Sequence, residues 1–189
     1  PRAPFRQPRN QFVSSDGSTG YSIQKVRPYG TGSIFATGGL KAPHARAVDK
    51  DGNLYVTNAQ SASIEKFTPG GVGTVFANSS NGIVHPADLI FDSAGYLYVT
   101  NAYGGPSGTG TVSKIAPDGS ASVFADQGFN IAYGLASDNA GNLYVSNFGG
   151  DTISQFYSNV TYLGAFIHSP LTRLPRILFH RSGHLSVAA

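Results

Sequence analysis

The sequence contains no cysteine and no methionine, and only 12% of its residues are charged. Without cysteine the chain can form neither a disulfide framework nor a thiolate metal site. No run of 18 apolar residues occurs, so no membrane-spanning segment is predicted. Disulfide-stapled, thiolate-metal and membrane-spanning classes are therefore excluded.

Motifs for nucleophilic and phosphate chemistry are also missing. The chain has no Gly-x-Ser-x-Gly nucleophile elbow and no Gly-x-x-x-x-Gly-Lys-Ser/Thr loop. A glycine-rich stretch at 104–110 lacks the lysine that would contact a phosphate. No catalytic residue is assigned from a motif, and the sequence favours a function without catalysis.

The net charge of +3 hides an uneven distribution. Residues 1–30 and 173–189 are basic, whereas 31–172 carry five Lys or Arg against nine Asp or Glu. A nucleic-acid surface would interleave basic and aromatic residues on one face, but the terminal arginines lie among prolines. No nucleic-acid partner is predicted.

One phrase recurs four times, as in Asp-Gly-Asn-Leu-Tyr-Val-Thr-Asn at 51–58. Its glycines, Gly52, Gly95, Gly141 and Gly183, mark a period in the low forties. The runs around them are β-branched and aromatic and lack a 3.6-residue apolar pattern. A repeat of this length and type predicts the blades of a β-propeller.

The clearest repeat shows how one blade is built. Its predicted strands are 88–92, 96–100, 111–115 and 121–125. The first two are joined by a Ser-Ala-Gly turn, and the last two by Pro117-Asp-Gly119, in which Pro fixes φ and Gly accepts a positive φ. The sequence predicts a four-stranded antiparallel meander.

This phrase resembles the NHL repeat: Pro, a short apolar strand, Asp, a Gly turn, then Leu-Tyr-Val-x-Asn. The pattern begins at residues 43–49 and 86–92 and continues into the strand that follows each of them. The resemblance covers about residues 20–189. It implies an all-β propeller similar to the SMP-30/gluconolactonase-like superfamily. Such propellers serve binding, sensing and catalysis alike, so the resemblance fixes no activity. The last repeat departs from the pattern at His180, Ser186 and Ala189.

The repeats divide the chain into an arm and about four blades. We predict a basic Pro-rich arm or linker at 1–19, and repeats at 20–189, composed of a half-blade at 20–39, blades at 40–80, 81–127 and 128–167, and a half-blade at 168–189. The terminal blade would then be split between the two ends. Either the ends close on each other, or half-blades of different chains complete one another by self-association into rings or filaments.

Histidines near the predicted blade ends are candidate metal ligands. His44, His85 and His168 precede first strands and could hold Zn²⁺. Asp88 could instead contribute to a Ca²⁺ site with Asn101 and Asn147, as in gluconolactonase-like propellers. The alternative is that these are ordinary loop residues, since the histidines do not occupy equivalent repeat positions.

The loops that follow second strands are predicted to present a ligand-binding face. Candidate contacts are Asn58, Asn101, Tyr103, Tyr133, Asn147 and Phe148, because aromatic and amide groups on a rigid scaffold suit recognition. The asparagines have a structural alternative, in which each hydrogen-bonds backbone at a strand end. Asp49, Asp92 and Asp138 each precede a Gly turn by three residues and are predicted to fix that turn.

Two Asn-x-Ser/Thr sequons, at Asn78 and Asn159, would be glycosylation sites in a secreted protein. Taken together, the sequence predicts a non-enzymatic scaffold, extracellular or at the cell surface, that binds a protein, peptide or glycan. A structural protein polymerising through half-blades is one alternative. A metal-dependent lactonase or lyase-like propeller is the other.

Overall fold

A computed structural model describes residues 11–17, 20–28, 30–105, 108–168, 174, 176–180 and 183–188. In these ranges the chain forms seventeen strands and one 3-10 helix, Ser79–Asn81. Within the described residues, no helix has the length and hydropathy required to cross a lipid bilayer. The strands form five separate antiparallel sheets, numbered here in chain order.

Sheets 2, 3 and 4 are complete four-stranded meanders in which neighbouring strands are consecutive in sequence. This confirms the predicted blade. Sheet 2 contains β4 (Pro43–Val48), β5 (Leu54–Asn58), β6 (Ser63–Phe67) and β7 (Gly73–Ala77). Sheet 3 contains β8 (Pro86–Phe91), β9 (Leu97–Asn101), β10 (Thr111–Ile115) and β11 (Ala121–Ala125). Sheet 4 contains β12 (Ala132–Ser137), β13 (Leu143–Asn147), β14 (Thr152–Phe156) and β15 (Tyr162–His168).

The predicted aspartate turns join the first and second strands of these sheets. One carboxylate oxygen of Asp92 accepts hydrogen bonds from the backbone N–H groups of Ala94 and Tyr96, both at 2.9 Å. Asp49 and Asp138 make the same pair of bonds in sheets 2 and 4. The glycine of each turn has a positive φ, which a side chain would strain. The prediction that these aspartates fix the turn is confirmed.

Sheets 1 and 5 are incomplete. Sheet 1 contains β1 (Gln11–Gly17), β2 (Gly20–Val26) and β3 (Gly32–Ala36), and sheet 5 contains β16 (Arg176–Phe179) and β17 (Leu185–Ala188). The range 1–19 predicted as an arm therefore includes a strand, β1, paired along its length with β2. In the described part of the chain, β16 and β17 do not join sheet 1 into a single split blade.

Each pair of neighbouring sheets encloses its own hydrophobic core. Phe67 and Leu54 pack with Ile23 between sheets 1 and 2, and Phe156 and Phe124 pack between sheets 3 and 4. Two further cores lie between sheets 2 and 3 and between sheets 4 and 5. Because sheets cover both faces of the second strands, every residue of β5, β9 and β13 is buried. Sheets stacked face to face around an axis are the packing expected of propeller blades.

The first strands converge at the centre of the molecule. β4 contacts β8, β8 contacts β12, and β12 contacts β16. Each first strand of sheets 2 to 4 also carries an irregularity in its register with the second strand. There the hydroxyls of Thr57, Thr100 and Ser146 accept a hydrogen bond from the backbone N–H of Ala45, Asp88 and Gly134. These bonds fix the first residues of each strand, which line the central channel.

Candidate functional site

Side chains from three sheets meet where the first strands begin. The strand registers place His44, Ala87 and Tyr133 at equivalent positions of β4, β8 and β12. Since Ala87 is small, His44 and Tyr133 can reach each other across β8. A cavity of about 270 Å³ lies here, and we call it the channel mouth; it is lined by His44, Ala45, Arg46, Ala87, Asp88, Tyr133 and Arg176.

His44 and Tyr133 form the central contact of the channel mouth. The Tyr133 hydroxyl lies 3.2 Å from Nε2 and 3.3 Å from Nδ1 of His44. The two rings meet edge to face, with centroids 5.5 Å apart. Tyr133 is also held by Phe148, whose ring centroid is 5.2 Å away. A phenol hydrogen-bonded to an imidazole is a pair that can exchange a proton.

The surroundings shift the pKa of both groups. Partial burial lowers the pKa of His44, and electrostatic interactions with Arg176 and His85 lower it further, so the neutral imidazole is favoured. Burial raises the pKa of Tyr133, and nearby Tyr103 and Asp88 raise it further. The phenol therefore stays protonated and the imidazole stays free to accept a proton.

Asp88 places a carboxyl group on the wall of the same cavity. Its two oxygens accept hydrogen bonds from the backbone N–H groups of Leu89, at 2.9 Å, and Leu135, at 3.0 Å. The second bond ties β8 to β12. Burial raises the pKa of Asp88, while these two hydrogen bonds and Arg176 act in the opposite direction. The channel mouth thus holds a carboxyl group whose pKa lies above its ordinary value.

His85 and Tyr103 form a second, outer pair. Their rings meet edge to face at 5.3 Å, and Tyr103 is 52% exposed. His85 has a positive φ of 49°, but Ala42 and Ile131 at the equivalent positions do too. The positive φ is therefore a feature of the repeat. In each repeat, the carbonyl of the residue with this positive φ accepts a hydrogen bond from the backbone N–H of the residue after the second strand.

Two arginines of the channel mouth were not selected from the sequence. Arg46 occupies a position of β4 at which β8, β12 and β16 carry Leu89, Leu135 and Ile177. Arg176 occupies the position of Asp88 in sheet 5. The signal available in the sequence was Arg46, a charged residue at a position where the other repeats carry an aliphatic one. This difference can be recognised only after the first strands have been aligned.

The predicted metal ligands are not gathered into one site. Among the described residues, no three His, Asp or Glu side chains come close enough together to hold a metal ion. His44, His85 and Asp88 lie near the channel mouth, but His44 bonds Tyr133 and Asp88 bonds backbone. His168 ends β15 opposite Thr152, and its side chain lies outside the described residues. Zinc and calcium remain predictions.

The three repeat asparagines lie inside the protein. Asn58, Asn101 and Asn147 are 0% to 1% exposed. Each amide oxygen accepts a 3.1 Å hydrogen bond from a backbone N–H seventeen residues earlier, in the loop before the first strand. The amide N–H of Asn101 donates to the hydroxyls of Thr111 and Ser113. These asparagines hold the loops in place, and Tyr103, Tyr133 and Phe148 are the predicted contacts that remain near the surface.

The two sequon asparagines lie in exposed turns. Asn78 caps the short 3-10 helix and accepts a hydrogen bond from Ser80 N–H. Asn159 accepts one from Thr161 N–H in the turn between β14 and β15. Their exposure is compatible with modification, and glycosylation stays a prediction.

Three comparisons with known proteins were made. No family model and no curated protein matches the chain. Solved structures do match. A gluconolactonase from Xanthomonas campestris superposes with a TM-score of 0.71 at 21% identity, over 89% of this chain and 62% of its own. The fold is a β-propeller.

Other propellers match equally well. A streptogramin B lyase gives a TM-score of 0.75 at 17% identity, over 98% of this chain and 64% of its own. Nidogen, solved in a complex with laminin, gives a TM-score of 0.74 at 18% identity, over 88% of this chain and 63% of its own. This chain spans less than two thirds of the length of each of these three. The predicted β-propeller fold is confirmed, and the structures that match it include gluconolactonases.

Proposed function

We propose that this propeller binds a small molecule at the channel mouth and acts on it as a lactonase or lyase. The observation that carries the proposal is the 3.2 Å contact between His44 and the Tyr133 hydroxyl, beside the carboxyl of Asp88. Ring opening of an ester and β-elimination both require a proton to be removed at one atom and delivered at another. The channel mouth supplies groups for both tasks.

The roles follow from the protonation states. Neutral His44 accepts a proton, from water attacking a lactone carbonyl or from a carbon beside the bond that breaks. The leaving oxygen then takes a proton as its bond to carbon breaks, and Tyr133 can donate it. Arg176 lies close enough to influence both His44 and Asp88, and its charge would favour the negative charge that develops on oxygen.

The names of the structural neighbours support this choice over a non-enzymatic scaffold. The proteins that share the fold include a gluconolactonase and a streptogramin B lyase. The fold alone does not carry an activity to this chain. The local chemistry of His44, Tyr133 and Asp88 is what connects it to that class.

The proposal is tested by assaying the purified protein with gluconolactone and with streptogramin B, followed by product formation. We expect turnover of at least one substrate, and a loss of about a hundredfold or more in kcat for His44→Gln. His180→Gln is the matched control, because His180 follows β16 at the other end of the first strand and bonds Ser186. No turnover of either substrate, or equal rates for the two variants, would contradict the proposal.

Recognition of a glycan or peptide is a second candidate, favoured by the exposed ring of Tyr103. This ring stands beside His85 on a glycine-rich loop, as a contact surface requires. Nidogen, solved in a complex with laminin, shares the fold and supports this candidate. A glycan array would test this candidate: binding that is lost in Tyr103→Ser and kept in Tyr157→Ser supports it, and an unreactive array opposes it.

A further inference from the structure

The wall of the channel below the mouth combines aliphatic side chains with two arginines. A cavity of about 500 Å³ is lined there by Arg46 and Arg176 together with Leu89, Leu135 and Leu178, among others. Leu89 and Leu135 are 2% and 3% exposed, whereas Leu178 is 60% exposed. Both arginines also line the channel mouth. They therefore connect the proposed reactive groups with an apolar pocket.

Asp88 is the one carboxylate among the described residues that line this cavity, so two arginines face a single acidic group. In the described ranges, the ion pair found is Lys50 with Asp51, which are both exposed and lie outside the channel. Arg46 directs its Nε to the carbonyl of Phe12 and its Nη1 to the hydroxyl of Ser14. Burial and the charge of Arg176 lower the pKa of Arg46. Two cations thus stand close enough to repel each other across a partly apolar cavity.

A half-buried arginine at this position is unfavourable for the fold alone. The other three first strands bury an aliphatic side chain there, and a guanidinium loses hydration when it is buried. An anion placed between Arg46 and Arg176 would neutralise the repulsion. The guanidinium group presents paired N–H donors whose spacing matches the two oxygens of a carboxylate.

We propose that the channel binds a small organic carboxylate, with its negative group between Arg46 and Arg176 and its aliphatic body against Leu89, Leu135 and Leu178. This inference rests on the proposed function and names the ligand class of the same site. Asp88 contributes to selectivity, because its oxygens lie on the same wall and disfavour a second negative group nearby. The carboxylate end is held by charge, so the rest of the molecule extends towards His44 and Tyr133.

The test is isothermal titration of the purified protein with hexanoate at low ionic strength, with hexanol as the neutral probe of the same chain length. We expect hexanoate to bind and hexanol to bind at least tenfold more weakly. Arg176→Gln is expected to weaken hexanoate binding at least tenfold, because Arg176 is exposed and its removal leaves the core intact. Lys50→Gln, which removes one positive charge outside the channel, is the matched control.

Arg46→Gln is the second variant, checked for folding by circular dichroism because it also loses the contacts to β1. Equal affinity for hexanoate and hexanol, or unchanged hexanoate binding in Arg176→Gln, overturns the inference. Binding is measured without turnover, so the two proposals can fail separately. Hexanoate binding that depends on Arg176 in a protein without lactonase or lyase activity upholds the ligand class and rejects the reaction.

Discussion

The imidazole of His44 lies 3.2 Å from the hydroxyl of Tyr133, although 89 residues separate them in the chain. Both residues occupy the same position of the repeat, in sheets 2 and 4. The intervening sheet carries Ala87 there, which leaves room for the contact. The contact is therefore possible because the three repeats carry different residues at this one position.

The first prediction concerns the pKa of His44. The positive charge of Arg176 is one of the causes that lower it, so Arg176→Gln is expected to raise the pKa of His44. The measurement is a pH titration of the histidine ring signals by NMR, with His44 assigned from the His44→Gln variant. Lys50→Gln should leave the titration unchanged. An unaltered His44 titration in Arg176→Gln would show that the two side chains do not interact.

The second prediction concerns the buried asparagines. Asn101→Ala leaves the Val84 N–H and the Thr111 and Ser113 hydroxyls without the amide that they contact. We expect the free energy of unfolding in urea to fall by about 3 kcal/mol, since buried polar groups lose their partner. Asn139→Ala, in an exposed turn, should change it by less than about 0.5 kcal/mol. Similar losses in both variants would argue against the structural role of Asn101.

The third prediction concerns Glu65, which is 6% exposed in β6. Burial raises its pKa, so the folded state binds a proton more tightly than the unfolded state. Stability from this group is present below the unfolded pKa, about 4.3, and is lost as pH rises through the folded pKa. Glu65→Gln should remove this dependence and raise Tm at pH 7. In sheet 1, the position of β2 that corresponds to Glu65 carries Gln24, the residue type introduced by the substitution. A lower Tm for Glu65→Gln at pH 7 would contradict the prediction.

The fourth prediction concerns the aspartate turns. Burial raises the pKa of Asp49 and Asp138, but hydrogen bonds from Asn53 and Asn142 and from backbone outweigh it, and the pKa of each is lowered. Their stabilising contribution is present above the unfolded pKa, about 3.9, and is lost as pH falls through the folded pKa. The double variant Asp49→Asn, Asp138→Asn should therefore show a smaller decrease in Tm between pH 5 and pH 2, as followed by circular dichroism. A decrease equal to that of the wild type would rule out these turns as a source of the acid sensitivity.

The regular part of the fold could be predicted because it is specified locally. Each blade repeats the Asp-x-x-Gly turn and the Leu-Tyr-Val strand, so hydrogen bonds such as those of Asp92 recur in every complete sheet. β1 was not predicted, because residues 11–17 follow a proline-rich stretch and lack that phrase. Its two apolar residues, Phe12 and Val13, give too little pattern to indicate a strand.

The candidate site was only partly predictable from the sequence. His44 and Tyr133 were selected as loop residues, and Asp88 as a possible metal ligand at the start of a predicted strand, but their position around one cavity depends on how sheets 2, 3 and 4 stack. Arg46 and Arg176 were not selected, because nothing in the sequence indicates that they face one cavity. The role of the three asparagines could not be decided from the sequence. An asparagine at the end of a strand can either contact a ligand at the surface or hydrogen-bond backbone inside the protein.

The most direct test of the enzymatic account is the rate of product formation by Tyr133→Phe, which removes one hydroxyl and keeps the ring. The assay uses whichever of gluconolactone or streptogramin B the wild type converts, with Tyr157→Phe as the control that removes the hydroxyl of an exposed tyrosine. We predict that kcat of Tyr133→Phe falls by about a hundredfold, while Tyr157→Phe stays within a few-fold of wild type. A folded Tyr133→Phe protein with wild-type kcat would contradict this account.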